Sequence, residues 1–134
     1  MSPMARNFTP EEANAALAEL RPLVEQMVEA KRVLERAEER RDQATGLISG
    51  NGGGISSQEL AGLHRDVRRC VAALAETVDA IQELGVVVKD LDSGLVDFPS
   101  VRAGEQVLLC WRLGEDEVAW WHSSEDGFAG RRPL

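Results

Sequence analysis

The sequence predicts an α+β protein in which a long antiparallel α-helical hairpin, coiled-coil-like in its spacing, is followed by a small antiparallel β unit. Three observations carry this. Two capping boxes each precede a long apolar heptad pattern, and a glycine-rich run separates the two patterns. After residue 85 the chain turns β-branched and aromatic, with turn residues between short apolar runs. The expected layout is one domain over 1–134: an N-terminal arm (1–8), a first helix (9–44), a tip (45–55), a second helix (56–84), and a β unit with its tail (85–134).

The first helix opens on Thr9-Pro10-Glu11-Glu12, where Thr9 is the N-cap, Pro10 the first helical residue and Glu12 the reciprocal partner of the cap. Ala13, Leu20, Met27 and Leu34 recur every seven residues, with Ala16, Leu23, Ala30 and Ala37 between them. Small residues in such a seam let a partner helix approach closely. Pro22 lacks an N–H and its ring clashes with the preceding turn, so a kink or break is expected near Leu20 to Arg21.

The run from Thr45 to Ile55 holds five glycines and ends the pattern. A phosphate cradle needs a preceding strand and usually a lysine, and neither is here, so a hairpin tip is the better reading. The second helix starts at a second capping box, Ser56 to Glu59. Leu60, Leu63, Val67, Cys70, Leu74, Thr77, Ile81 and Leu84 then alternate spacings of three and four, and Gly85 is the expected stop. Cys70 on that seam reads as a small apolar residue. His64 has no second ligand one helical turn away and reads as a surface histidine.

In the β unit, a strand begins at Val86-Val87-Val88 and a second, Gly94 to Phe98, ends at Pro99. Two more, Glu105 to Leu113 and Val118 to His122, flank Gly114-Glu115-Asp116-Glu117. An even-length loop there pairs Trp111 with Trp120 and Cys110 with Trp121, putting Cys110 and His122 on opposite faces. A three-residue loop instead sets Cys110 across from His122, the only arrangement of the two that permits a Cys–His dyad. The even loop is preferred, because it gathers Val107, Leu109, Trp111, Leu113, Val118 and Trp120 on one apolar face.

Charge and cysteine content narrow the function. With 23 acidic and 15 basic residues the net charge is −8, which argues against general binding to nucleic acid or to anionic membranes. No segment approaches the ~18 apolar residues of a membrane span, and the N-terminus does not read as a signal peptide, so a cytoplasmic protein is expected. Cys70 and Cys110 form neither a disulfide framework nor a zinc pattern. Asp90, Asp92 and Asp97 at the first β segment, and His122, Glu125 and Asp126 at the last, could attract a divalent ion. The two clusters share no recognised ligand spacing, so no metal set is assigned, and nothing names a cofactor. Asp92-Ser93-Gly94 is also turn chemistry, and Arg131 or Arg132 could pair with such a carboxylate to anchor the tail.

The segments FTPEEANAAL, GNGGG, LGVVVKDLDSGLVDFP, LLCWRLGEDEVAWWH and GFAGRRPL together resemble a prokaryotic family known as domain of unknown function 2203. The resemblance covers nearly the whole chain and implies a helical hairpin with an appended β unit; it implies no activity. The residues matching the family's polar pattern are Asp92, Asp97, Trp111, Glu115, His122 and Arg131. They are the first choices for a ligand-binding site, and equally the scaffold of the β unit. The leading expectation is a non-enzymatic interaction or scaffold protein forming a homodimer or tetramer through helix packing, since the seam is longer than one kinked partner easily covers. The alternative is a small-molecule or metal-binding protein, conceivably an enzyme, with its site on the β unit.

Overall fold

A computed structural model describes residues 6–49 and 54–134. Two long helices, α1 (Pro10–Ser49) and α2 (Ser57–Glu83), pack against each other and lead into a five-stranded antiparallel sheet, so the fold is α+β. The strands are β1 (Val87–Asp90), β2 (Leu95–Arg102), β3 (Glu105–Arg112), β4 (Trp120–Ser123) and β5 (Arg132–Pro133), in the order of the chain. A short 3-10 turn, Phe128–Gly130, precedes β5. The chain forms two compact units, one from residues up to Val28 together with Thr77–Leu134, the other from Glu29–Glu76.

Both capping boxes form. Thr9 N–H donates to Glu12 Oε1 (2.9 Å) and Glu12 N–H to Thr9 Oγ1 (3.1 Å), and Ser56 and Glu59 exchange the same pair of bonds. Helix α1 runs unbroken through Pro22, whose exposed position leaves the unpaired carbonyl of the preceding turn to water. The helix also continues to Ser49, past the expected end at 44, and Thr45 turns its hydroxyl back to the Arg41 carbonyl. Residues 45–49 of the expected tip are therefore helical, and residues 50–53 lie outside the described residues. The buried stripe of α1 in the first unit is Ala13, Leu17, Leu20, Val24, Met27 and Val28. Leu17 and Val24 take the intermediate places assigned to Ala16 and Leu23, which are half-buried.

In the second unit Leu34, Ala37, Ala44, Val67 and Leu74 are buried, and Cys70 is half-buried on its seam. Exposed pairs such as Lys31–Glu35 and Arg36–Glu29 decorate the outside, where each is worth little.

The sheet belongs to the first unit. Gly85, at φ +90°, ends the helical segment and turns the chain into β1. Strand β2 continues through Pro99 to Arg102, three residues past the expected stop. This is allowed because β1 pairs only with residues 95–97, so Pro99 stands where β2 has no strand on its outer side. The N-terminal arm occupies that position: Phe8 N–H donates to the Pro99 carbonyl (2.7 Å), Ser100 Oγ donates to the Phe8 carbonyl (2.5 Å), and the Phe8 and Phe98 rings meet edge to face. Val96, Phe98, Leu109 and Trp111 make the buried inner face. Asn14 of α1 serves both backbone groups of Val118, accepting from its N–H (2.7 Å) and donating to its carbonyl (3.2 Å).

Candidate metal centre

Register decides what the β unit can do. Strand β3 pairs with β4 so that Cys110 faces Trp120 and Leu108 faces His122. This is neither of the two expected registers, and the preferred even-loop pairing of Cys110 with Trp121 is corrected by one residue. The cause lies in the β3–β4 connection, which is held by side chains. Glu115 Oε1 accepts from Arg112 N–H (2.9 Å), Trp111 Nε1–H donates to the Glu115 carbonyl (3.0 Å), and Asn14 fixes Val118. A one-residue slip moves every side chain to the other face. Cys110 and His122 therefore share the outer face, two positions apart on the diagonal, and β2 places Asp97 directly opposite Cys110.

All three residues are buried: Asp97 is 1%, Cys110 0% and His122 3% exposed. Their ligand atoms lie within 4.8 Å of one another. His122 Nε2 sits 3.2 Å from both Oδ1 and Oδ2 of Asp97, while Nδ1 is 2.8 Å from the Ser123 carbonyl. A carbonyl only accepts, so Nδ1 carries a proton and donates it to Ser123. Nε2 is then the nitrogen that faces the Asp97 carboxylate.

A second cluster lies beside the first. Arg131 makes a bidentate pair with Glu115, at 2.7 and 3.0 Å, and its Nη2 reaches the Cys110 carbonyl (3.5 Å). Its guanidinium lies over the Trp120 and Phe128 rings, which brings the C-terminal segment against this part of the sheet. Arg131 Nε is buried and has no acceptor among the described residues. Burial pushes the Glu115 carboxyl up, but the bonds from Arg131 and the Arg112 N–H outweigh it and hold Glu115 below its ordinary value. The same pairing raises Arg131 against the opposing effect of its burial.

Burial pushes the Cys110 thiol up to about 11, with Arg131 working against that and Asp97 and Glu115 adding to it. At neutral pH the sulfur is a thiol, and both nitrogens of His122 are already engaged. The sharp requirement of a cysteine nucleophile, a free imidazole nitrogen facing the sulfur, is not met by this arrangement.

Of the six residues expected from sequence, the structure brings Asp97 and His122 together, and Glu115 with Arg131 next to them. Trp111 is on the inner face, fully buried, with the Arg21 guanidinium 5.6 Å from its ring, and is core. Asp92 is exposed in the β1–β2 turn, where Asp90 makes the capping bonds to Ser93. Arg131 pairs with Glu115 rather than with an aspartate of that turn. Sequence reasoning missed Cys110, because the even-loop register turned it away from His122. One signal was available: Asp97 stands between Val96 and Phe98, where a charge in mid-strand points to a buried partner on the second face.

The fold and the paired polar clusters define a small α+β protein with a buried Asp–Cys–His constellation on its sheet. The chain belongs to the family of uncharacterized conserved proteins DUF2203, whose model matches residues 6–134. No curated protein and no solved structure matches it.

Proposed function

We propose that this is a metal-binding protein in which Asp97, Cys110 and His122 hold one divalent transition ion, with zinc the best fit. The observation that carries the reading is the convergence of three ligand side chains from three adjacent strands, with Nδ1 of His122 tied to a backbone carbonyl. Metal-bound histidines typically anchor their second nitrogen in this way, which fixes the ring and aims the other nitrogen at the ion. The 3.2 Å between Nε2 and each Asp97 oxygen is close to the edge of about 3.3 Å expected of a tetrahedron with bonds of about 2.0 Å. Asp97, His122 and Cys110 offer one donor atom each, three of the four places of a tetrahedral site.

Charge favours the same ion. An Asp97 carboxylate and a Cys110 thiolate together neutralise a divalent cation, and Glu115 already neutralises Arg131. Soft sulfur with imidazole and one carboxylate suits zinc better than magnesium or calcium, which take oxygen ligands. Because the residues are buried, the ion's role is structural: it ties β2, β3 and β4 to one another.

The test is metal analysis of protein purified without chelator, followed by cobalt substitution. Expected are about one equivalent of zinc, and a sulfur-to-cobalt absorption band that Cys110→Ser abolishes. A protein that stays metal-free after zinc reconstitution, and melts identically with zinc and with chelator, sinks the proposal.

Self-association through the helices is a second reading, favoured by exposed Val33, Leu47 and Val71 in the second unit, at 37%, 55% and 49%. The buried stripe of each helix weakens its original motive. Sedimentation at micromolar concentration decides it, a concentration-independent monomer being the outcome against.

A further inference from the structure

We propose a separate small-molecule site at the end of the sheet, selective for a phosphorylated compound that also carries hydroxyl groups. Strand alternation builds it. Arg102 of β2, Glu105 and Val107 of β3, Trp121 and Ser123 of β4 and Arg132 of β5 follow from the pairing as residues of one face. They line a surface cavity of about 470 Å³, within the size range of small-ligand pockets. Asp97, Cys110 and His122 point to the opposite face, so this site does not depend on the metal centre.

The two arginines give the cavity its chemistry. The Arg102 guanidinium lies 4.9 Å and that of Arg132 5.2 Å from the centre of the Trp121 ring. Stacking on an aromatic face orients a guanidinium and leaves its in-plane N–H groups free to donate. Among the described residues neither arginine has a carboxylate within ion-pair distance, although the chain carries a net charge of −8 and two glutamates, Glu105 and Glu125, line the same cavity. Two oriented, unpaired forks around one tryptophan make a receptor for a group with several acceptor oxygens, and phosphate is the group that uses both.

The two glutamates set the second half of the specificity. A carboxylate repels the phosphate but accepts from hydroxyl groups, so the ligand places its phosphate at the arginines and its hydroxyls at the rim. Ser123 and Gln106 add neutral partners. The β2–β3 turn closes the cavity at Ala103, which has φ +52° beside Gly104 at +78°. Positive φ at both central residues is the geometry of a two-residue type I′ hairpin turn, which holds Arg102 and Glu105 side by side at the rim.

Calorimetric titration of the full chain with ribose 5-phosphate and with inorganic phosphate tests this. Ribose 5-phosphate is expected to bind, more tightly than phosphate alone, and to weaken with added salt. Arg102→Ala and Arg132→Ala should each reduce affinity about tenfold or more, and Arg132→Lys should not restore it, because the lysine keeps the charge but loses the fork. Arg68→Ala, a change on α2 in the second unit, should have no effect. Both cavity arginines are exposed, so the variants should keep the parent melting curve. Independently, the Trp121 indole N–H resonance, assigned with Trp121→Phe, should shift on addition of ribose 5-phosphate. No binding of either compound at millimolar concentration, or binding that persists in the arginine variants, overturns the proposal.

Discussion

At the scale of single residues, the outer face of the sheet is governed by protons. A buried thiol at about 11 must lose its proton to bind an ion. Zinc affinity should therefore fall as pH falls, by about tenfold per pH unit for the thiol proton alone. Competition with a chromogenic chelator between neutral and mildly alkaline pH measures that slope. Cys110→Ser should cost more affinity than the roughly 10–100-fold lost when only an outer hydrogen-bond partner of a ligand is removed. Glu115 works differently. Its folded pKa is depressed, so its contribution to stability is complete above the ordinary glutamate value of 4.5 and is lost as pH falls through the folded value. Glu115→Gln should destabilise the protein by about 2 kcal/mol at neutral pH, because the half-buried Arg131 loses a charged partner. Urea unfolding at neutral and at strongly acid pH should show the difference between the two proteins closing in acid.

At the scale of elements, turns rather than strands fix the geometry of the site. Gly94 ends the β1–β2 turn at φ +70°, and a Cβ there would lie 2.8 Å from Val24 Cγ1 and 2.9 Å from Leu113 Cβ. Gly94→Ala thus combines backbone strain with overpacking, and a loss of roughly 2–3 kcal/mol is expected in chemical denaturation. The β3–β4 connection is the more consequential one. It takes its shape from Glu115, from the Trp111 indole and from Asn14 more than a hundred residues away in sequence. The helices, by contrast, are locally specified: capping boxes, heptads and Gly85 mark their starts and stops, and the structure departs from that reading mainly at the C-terminal end of α1. There Gly46 and Leu47 remain helical because one glycine costs a helix only about 1 kcal/mol.

At the scale of the whole molecule, a structural ion should act on one unit and spare the other. An ion at a hundred times its dissociation constant adds about 2.7 kcal/mol to the state that binds it. Hydrogen exchange with and without zinc should show slower exchange in β2, β3 and β4 and unchanged exchange within Glu29–Glu76. Equal protection throughout the chain, or none, would count against a site confined to the sheet. The sequence by itself determined the α+β class, both helices and their caps, four of the five strands to within a few residues, and four of the residues that cluster on the β unit. These are carried by local signals: apolar periodicity, cap chemistry and turn residues act over a few positions. Only the tertiary structure decided the β3–β4 register, and with it the place of Cys110 beside Asp97 and His122. It also decided the fifth strand, the passage of β2 through Pro99 and the arginine–tryptophan cavity. The physical reason is common to all of these. Strand pairing has a period of two, so one residue of slip exchanges the faces, and the contacts that set the slip come from side chains distant in the chain.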